Sequence, residues 1–199
     1  TGFYTRLNHV FVLEEIGKDE EHNAVIKERR NGQGAEVAGV TVEGKVAYLS
    51  LVQLQAGVTW QKSHYTRPEK WSKDSSVPAE KRIFRTPDWY GYFTATYSPV
   101  KPLNIALSGT YTGSMIVQHM KGYIPKDIAV TTPDFFDMNL KISYDFSLYK
   151  FITLQLNAGI QNIFNAYQRD FDQGKERDSG YIYGPSMPRS YFAGAKLMF

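Results

Sequence analysis

Side chains able to do chemistry are few in this chain, and their spacing decides little by itself. The histidines are His9, His22, His64 and His119. A metal or proton-transfer site needs ligating groups that converge, and none of these has a partner at ligand spacing. His64 and His119 fall near the ends of strand-like stretches, where a ligand arriving from outside could meet them. An exposed histidine without a role is the plainer reading. Asp170, Asp172 and Asp178, with Gly174 among them, follow the opening of a calcium loop. A hard cation takes oxygen ligands at alternate positions and a glycine that permits the turn. The D-x-D-x-D-G pattern is incomplete, however, and the closing bidentate Glu is missing. Arg169, Lys175 and Arg177 are at hand as charge partners, so a salt-bridged loop is expected and no metal site is assigned.

Residues 66–87 carry Arg67, Lys70, Lys73, Lys81, Arg82 and Arg85 against Glu69, Asp74 and Glu80. That excess could pair with phosphates of lipopolysaccharide or an anionic ligand, or simply be solvated. Trp71 and Phe84 in the same stretch are candidates for gripping a ligand or a surface lipoprotein. Gly-x-Ser-x-Gly, P-loop and His-Glu-x-x-His patterns do not occur, so neither an enzyme nor a cofactor is expected.

The elements that must position these groups follow from composition and pattern. The 199 residues include no Cys, 14 Tyr and 12 Phe, and mean hydropathy is −0.39. Lack of cysteine removes disulfides and thiolate metal sites. No stretch approaches the ~20 continuous apolar residues of a membrane-spanning helix. A net charge of +3, without a basic helix or an RNA-binding motif, does not point to nucleic acid. The chain starts at Thr1, already close to a strand pattern, and reads as one piece of a longer protein.

Strict alternation runs through most of the sequence. Phe3, Leu7, Phe11 and Leu13 share one face of a first stretch, and residues 24–29 could add a hairpin. Ala38, Val40, Val42, Val46 and Tyr48 oppose Thr41, Glu43 and Lys45; Val52, Leu54, Ala56, Val58 and Trp60 oppose Gln53, Gln55, Thr59, Gln61 and Ser63. Residues 89–97 form another strand. Leu103, Ile105, Leu107, Tyr111, Met115 and Val117 make the cleanest apolar row, against Asn104, Ser108, Thr110, Thr112, Ser114 and Gln118. Phe136, Met138, Leu140, Ile142, Tyr144 and Phe146 oppose Asp137, Asn139, Lys141, Ser143 and Asp145. Ile152, Leu154, Leu156, Ala158 and Ile160 oppose Thr153, Gln155, Asn157 and Gln161, and Tyr191, Ala193, Ala195, Leu197 and Phe199 form the last row.

These strands are longer than the ~5–6 residues usual in soluble sheets and long enough to cross a bilayer at a tilt. Connections alternate short and long, and aromatics gather near strand ends: Trp89, Tyr90, Tyr92, Phe135, Phe136, Phe164, Tyr167, Tyr149, Phe151 and Phe199. Lipid-facing and lumen-facing rows with interfacial girdles account for all three features. The fold expected is therefore an all-β, antiparallel transmembrane barrel, with a soluble β-sandwich as the alternative. With Phe199 at the periplasmic rim, the tight turns near Leu49, Pro99 and Leu148 are periplasmic. Segments 15–34, 66–87, 119–133 and 168–187 are then extracellular, and about eight strands result.

Particular residues carry a family likeness. Asn162-Ile163-Phe164-Asn165-Ala166-Tyr167 resembles the N-[LI]-[FT]-[ND]-x-x-Y element near the end of TonB-dependent outer-membrane receptors. Pro188-Arg189-Ser190-Tyr191, after Tyr183-Gly184-Pro185, is similar to the Pro-Arg-[Ser/Thr]-aromatic lead-in to their last strand. Gly39-Val40-Thr41-Val42-Glu43 resembles their G-V-E-x-E strand, with Thr41 in place of the first Glu. Gly194, Leu197 and Phe199, spaced G-x-x-L-x-F, resemble the C-terminal assembly signal that the barrel assembly machinery reads. The style of residues 169–172 resembles receptors of Bacteroides-type bacteria.

The resemblance implies a barrel of about 22 strands with a plugged lumen, of which residues 1–199 form the C-terminal part, the plug lying outside this chain. It implies the bacterial outer membrane, contact with lipid and lipopolysaccharide, TonB acting through the plug, and import of a ferric siderophore, haem or cobalamin. A complete eight-stranded barrel with a structural or adhesion role stays open beside it.

Overall fold

The computed structural model describes residues 1–19, 21–22 and 24–199. Strands β1 (Gly2–Leu7), β2 (Phe11–Asp19), β3 (Ala24–Asn31), β4 (Ala35–Tyr48) and β5 (Val52–Glu69) open the chain. A short β6 (Glu80–Arg82) follows, then β7 (Trp89–Val100), β8 (Leu103–Thr112), β9 (Ile116–His119) and β10 (Ile128–Thr131). The last three are β11 (Phe135–Tyr149), β12 (Ile152–Gln161) and β13 (Ser190–Met198). One antiparallel sheet runs β1-β4-β5-β7-β8-β11-β12-β13, eight strands in order, with β6 attached to β5. Its ends, β1 and β13, are not paired with each other. Among the described residues, every extensive strand contact joins hydrogen-bonded neighbours, and no second sheet faces this one. No described helix is long and apolar enough to cross a membrane.

Register carries the alternation across the whole sheet. Val42 pairs with Val58 and Val58 with Gly91, while Leu107 pairs with Ala95 and Leu140. Leu140 in turn pairs with Ile160 and Ile160 with Tyr191. The apolar rows thus merge into one continuous face, and that face is bare: Val42 is 63% exposed and Val58 45%. On the other face Thr59 is 5% and Gln61 8% exposed, because connecting segments fold over that end. Water would impose the reverse distribution, since about 25 cal/mol is gained for each Å² of apolar surface withdrawn from it. A bare apolar sheet face is stable where hydrocarbon touches it. The row Leu103, Ile105, Leu107 and Tyr111 has no layer over it and none of its members is buried. The sandwich alternative therefore lacks its second sheet.

Aromatic side chains mark both ends of the bare face. Tyr4, Trp60 and Trp89 line the end near the long connections, and Trp60 and Trp89 have ring centroids 6.2 Å apart. Phe136 stacks on Phe164 there, centroids 5.6 Å apart. Tyr48, Tyr97, Tyr149, Phe151 and Phe199 are exposed at the end with tight turns. Mostly aliphatic and small residues fill the span between, with Phe93 among them. Three residues expected in the girdle do not belong to it: Tyr90 and Tyr92 pair with Thr59 and Gly57, on the polar face, and Phe135 is buried. They sit one position out of phase with the apolar row, a shift that reverses the face of a strand residue.

Two expected rows are broken. Phe3 to Leu13 is not one strand: the chain leaves the sheet after Leu7, and β2 pairs with β3 in a separate hairpin. The row from Leu103 does not continue to Met115 and Val117. The Gly113 amide still donates to the Trp89 carbonyl at 2.8 Å, but the chain leaves the sheet after it, and β9 pairs with β10 instead. Met115 and Val117 then form, with Tyr181, a small core outside the sheet, with Val130 and Tyr183 against it. Residues 119–133, expected to be loop, contain β10.

Within the sheet, glycines face aromatic rings across the ladder. Gly39 pairs with Phe3, Gly57 with Tyr92, Gly109 with Phe93 and Gly159 with Phe192. In each case the ring occupies the place where a Cβ would sit. A wide ring lying flat on a glycine seals the gap its missing side chain leaves.

Candidate ligand-facing surface

The polar face of the sheet is the candidate ligand-facing surface. Glu43, Gly57, Tyr92, Thr110 and Asp137 form one cross-strand rung. The Tyr92 hydroxyl donates to Glu43 Oε1 at 3.2 Å and accepts from Gln55 Nε2 at 3.3 Å. Thr41 and Thr59 share a hydroxyl–hydroxyl bond of 2.9 Å, and Gln155 Nε2 donates to Asp145 Oδ1 at 2.7 Å. Asp137 Oδ1 is buried without a hydrogen-bond partner. Hydroxyls, amides and charges of both signs make this a surface that can hydrogen-bond a polar partner. No group of three or more His, Asp or Glu among the described residues is placed to hold a metal.

Above that face the long connections pack into a cap. Segment 168–187 is its hub. His119 Nε2 lies 2.9 Å from both Asp172 carboxylate oxygens, and the His119 ring stacks on Tyr181 with centroids 3.7 Å apart and planes 8° apart. Asp172 is almost fully covered, its side chain 2% exposed. The Asp178 amide donates to Asp172 Oδ2 at 2.9 Å, and Asp178 Oδ2 accepts from the Met120 amide at 2.8 Å. Asp170 accepts from the Tyr181 hydroxyl at 2.8 Å and the Tyr183 hydroxyl at 2.6 Å. Burial pushes the Asp170 carboxyl up, but these hydroxyls outweigh it and hold the group below its ordinary value. Burial first, and the neighbouring Asp170 second, raise both phenols, Tyr183 to about 12.

The three aspartates therefore meet tyrosine, histidine and backbone amides, not the cations beside them in sequence. Arg169 lies over the Tyr167 ring and Arg177 donates to the Gly174 carbonyl. The salt-bridged loop expected from sequence gives way to a hydrogen-bonded one, because the chain folds Tyr181 and Tyr183 back onto Asp170.

The other candidates are scattered. His64 is in phase with the exposed apolar row, 3.6 Å from Glu36, away from the polar face. Trp71 and Phe84 meet each other edge-on at 5.3 Å, and Trp71 Nε1 donates to the Pro78 carbonyl at 3.2 Å, so they form an internal support of segment 66–87. Gly194 lies on the polar face opposite Asn157; Leu197 and Phe199 are exposed on the apolar side.

Four residues have structural roles that their types alone do not announce. Arg85, counted only as a charge, donates to the carbonyls of Ile182 and Gly180 and ties segment 66–87 to 168–187. Buried Gln168 donates to the Tyr181 carbonyl at 3.0 Å and accepts from the Tyr183 amide at 2.9 Å. Asn162, at φ 51°, donates to the Ala166 and Met187 carbonyls, while Asn165, at φ 54°, accepts from the Arg189 amide. Asparagine tolerates the left-handed region and caps the corner with its own amide. Their spacing in the sequence was the available signal for that corner.

No family model and no curated protein matches the chain. Its structure is similar to the ferric-catecholate import receptor Fiu of E. coli K12 in the closed form, at a TM-score of 0.58 and 20% identity. The likeness covers 99% of this chain and 24% of that one, so the chain spans about a quarter of the receptor's length. The fold is that of a wall segment from a TonB-dependent-receptor barrel.

Proposed function

We propose that residues 1–199 are the C-terminal part of the barrel of a TonB-dependent receptor, of the Bacteroides type, in the bacterial outer membrane. The protein imports a scarce nutrient too large for porins, and a ferric siderophore is the first candidate ahead of haem and cobalamin. The observation that carries this reading is the sheet whose apolar face is bare while its polar face is hydrogen-bonded and partly capped. An open sheet edge is too costly in lipid, so β1 and β13 pair with strands of the same barrel beyond this segment. The unpaired ends also weigh against a complete eight-stranded barrel. The similar receptor takes ferric catecholates by its name, which supports a ferric chelate. In this reading the chain supplies wall and outer cap, not catalysis, and its partners are the plug, TonB through the plug, lipid and lipopolysaccharide, the assembly machinery and a surface lipoprotein.

The test is uptake of labelled ferric chelates by cells with and without the full-length protein, together with fractionation. Extraction only by detergent and loss of uptake on deletion are expected. Recovery in the aqueous fraction would overturn the membrane assignment, and unchanged uptake of every chelate would overturn the substrate class.

A further inference from the structure

The apolar face is not uniformly apolar. Where it meets the cap, a patch of charge lies on the same outward row. Cross-strand register puts Tyr4, Ala38 and Lys62 on one outward rung and Arg6, Glu36 and His64 on the next. The rung beneath holds Gly2, Val40 and Trp60, continuing to Trp89. Small side chains at Ala38 and Val40 leave a shallow groove, walled by Tyr4 on one side and Trp60 on the other, with Lys62 at its head. Tyr4 is 63% exposed and Trp60 42%, so no described residue covers either wall.

We infer that this groove binds a phosphorylated lipid of the outer leaflet, one acyl chain lying on Ala38 and Val40 and the phosphate held by Lys62 and Arg6. The inference rests on the membrane reading proposed above. Its groove is continuous with the hydrocarbon-facing band, and indole and phenol rings at the boundary suit the acyl–headgroup junction. Adjacent strands lie about 4.8 Å apart, so two flexible cations two strands apart on neighbouring rungs can reach one phosphate. Arg6 is only loosely held by the protein: its Nε is 3.6 Å from Glu36 Oε1, with the Arg6 side chain 60% exposed. His64 is likewise 3.6 Å from Glu36. Glu36 is therefore the competing anion, and a phosphate would take Arg6 from it with charge-assisted bonds. A soluble anion has no use for the acyl groove beneath, which is why the occupant is a lipid.

The test uses the full-length protein in detergent, titrated with diphosphoryl lipid A and with its dephosphorylated counterpart, bound copies being counted by native mass spectrometry. Tight binding of the phosphorylated form is expected, with no competition from millimolar inorganic phosphate. The paired substitution Arg6→Gln and Lys62→Gln should weaken it roughly tenfold or more, and Glu36→Gln should strengthen it. Both alter exposed side chains, and circular dichroism checks that the sheet remains. Equal binding of the two lipids, or no change in the paired variant, would overturn the site while leaving the receptor reading standing. A protein that enters no detergent micelle would remove both.

Discussion

Wall and cap of this molecule are stabilised by opposite means. The wall is a single sheet with almost no buried side chain on its apolar face; its internal order comes from ladder hydrogen bonds, register and rings lying on glycines. The cap has little regular structure, yet it contains the fully buried Val117 and Gln168 and the buried His119–Asp172 pair. A sheet that borrows its apolar environment from lipid needs no core of its own, whereas loops standing in water must build one. On the proposed reading, the difference teaches that burial in such a chain marks the parts outside the membrane.

The comparison breaks first, and by most, on the wall. Leu107→Arg places a charge in mid-span on the bare face and should cost about 2–4 kcal/mol of folding in bilayers, whereas Ser108→Arg, one residue on, should change little. Equal effects in lipid refolding titrations would remove the distinction between faces. In the cap, His119→Ala leaves Asp172 buried without its ring partner and should cost about 2 kcal/mol. That loss should be local, with segments 119–133 and 168–187 becoming protease-sensitive while strand content by circular dichroism stays constant. Arg85→Met removes two bonds to carbonyls and should cost about 1–1.5 kcal/mol, read as faster hydrogen exchange at residues 180–182 and in segment 66–87.

The smallest effect is a pH response confined to the cap. Tyr183 is raised from 10.0 to about 12, so its contribution is complete below about pH 10 and lost as pH rises toward 12. Asp170 is lowered from 3.8, so its contribution is present above that value and lost as pH falls below it. Proteolysis of residues 168–187 should accelerate at both extremes, and Tyr183→Phe should weaken both limbs, because the hydroxyl it removes is also the first of those that hold Asp170 down.

The wall was legible in the sequence because period-two alternation needs only local information. Val52 to Trp60 or Ile152 to Ile160 announce their faces without reference to any partner. Where strand ends and corners fall was harder: β8 ends at Thr112 within an unbroken apolar row, and nothing near Met115 signals that it joins a core with Tyr181. Tyr90 and Tyr92 were legible in type but not in phase, since an aromatic near a strand end fits girdle and lumen equally. Cap chemistry was least readable. Asp170, Asp172 and Asp178 look alike in the sequence, and only the tertiary return of Tyr181, Tyr183 and His119 gives them their partners.

Spin labels placed singly from Asn104 to Thr112 in the bilayer-reconstituted full-length protein test the central claim most directly. Collision with oxygen should peak at 105, 107, 109 and 111, and collision with a polar nickel chelate at the intervening positions, a period of two through the strand. Protection from both reagents at the odd positions, or no alternation at all, would mean that protein rather than hydrocarbon covers that row, and the account of the wall would be wrong.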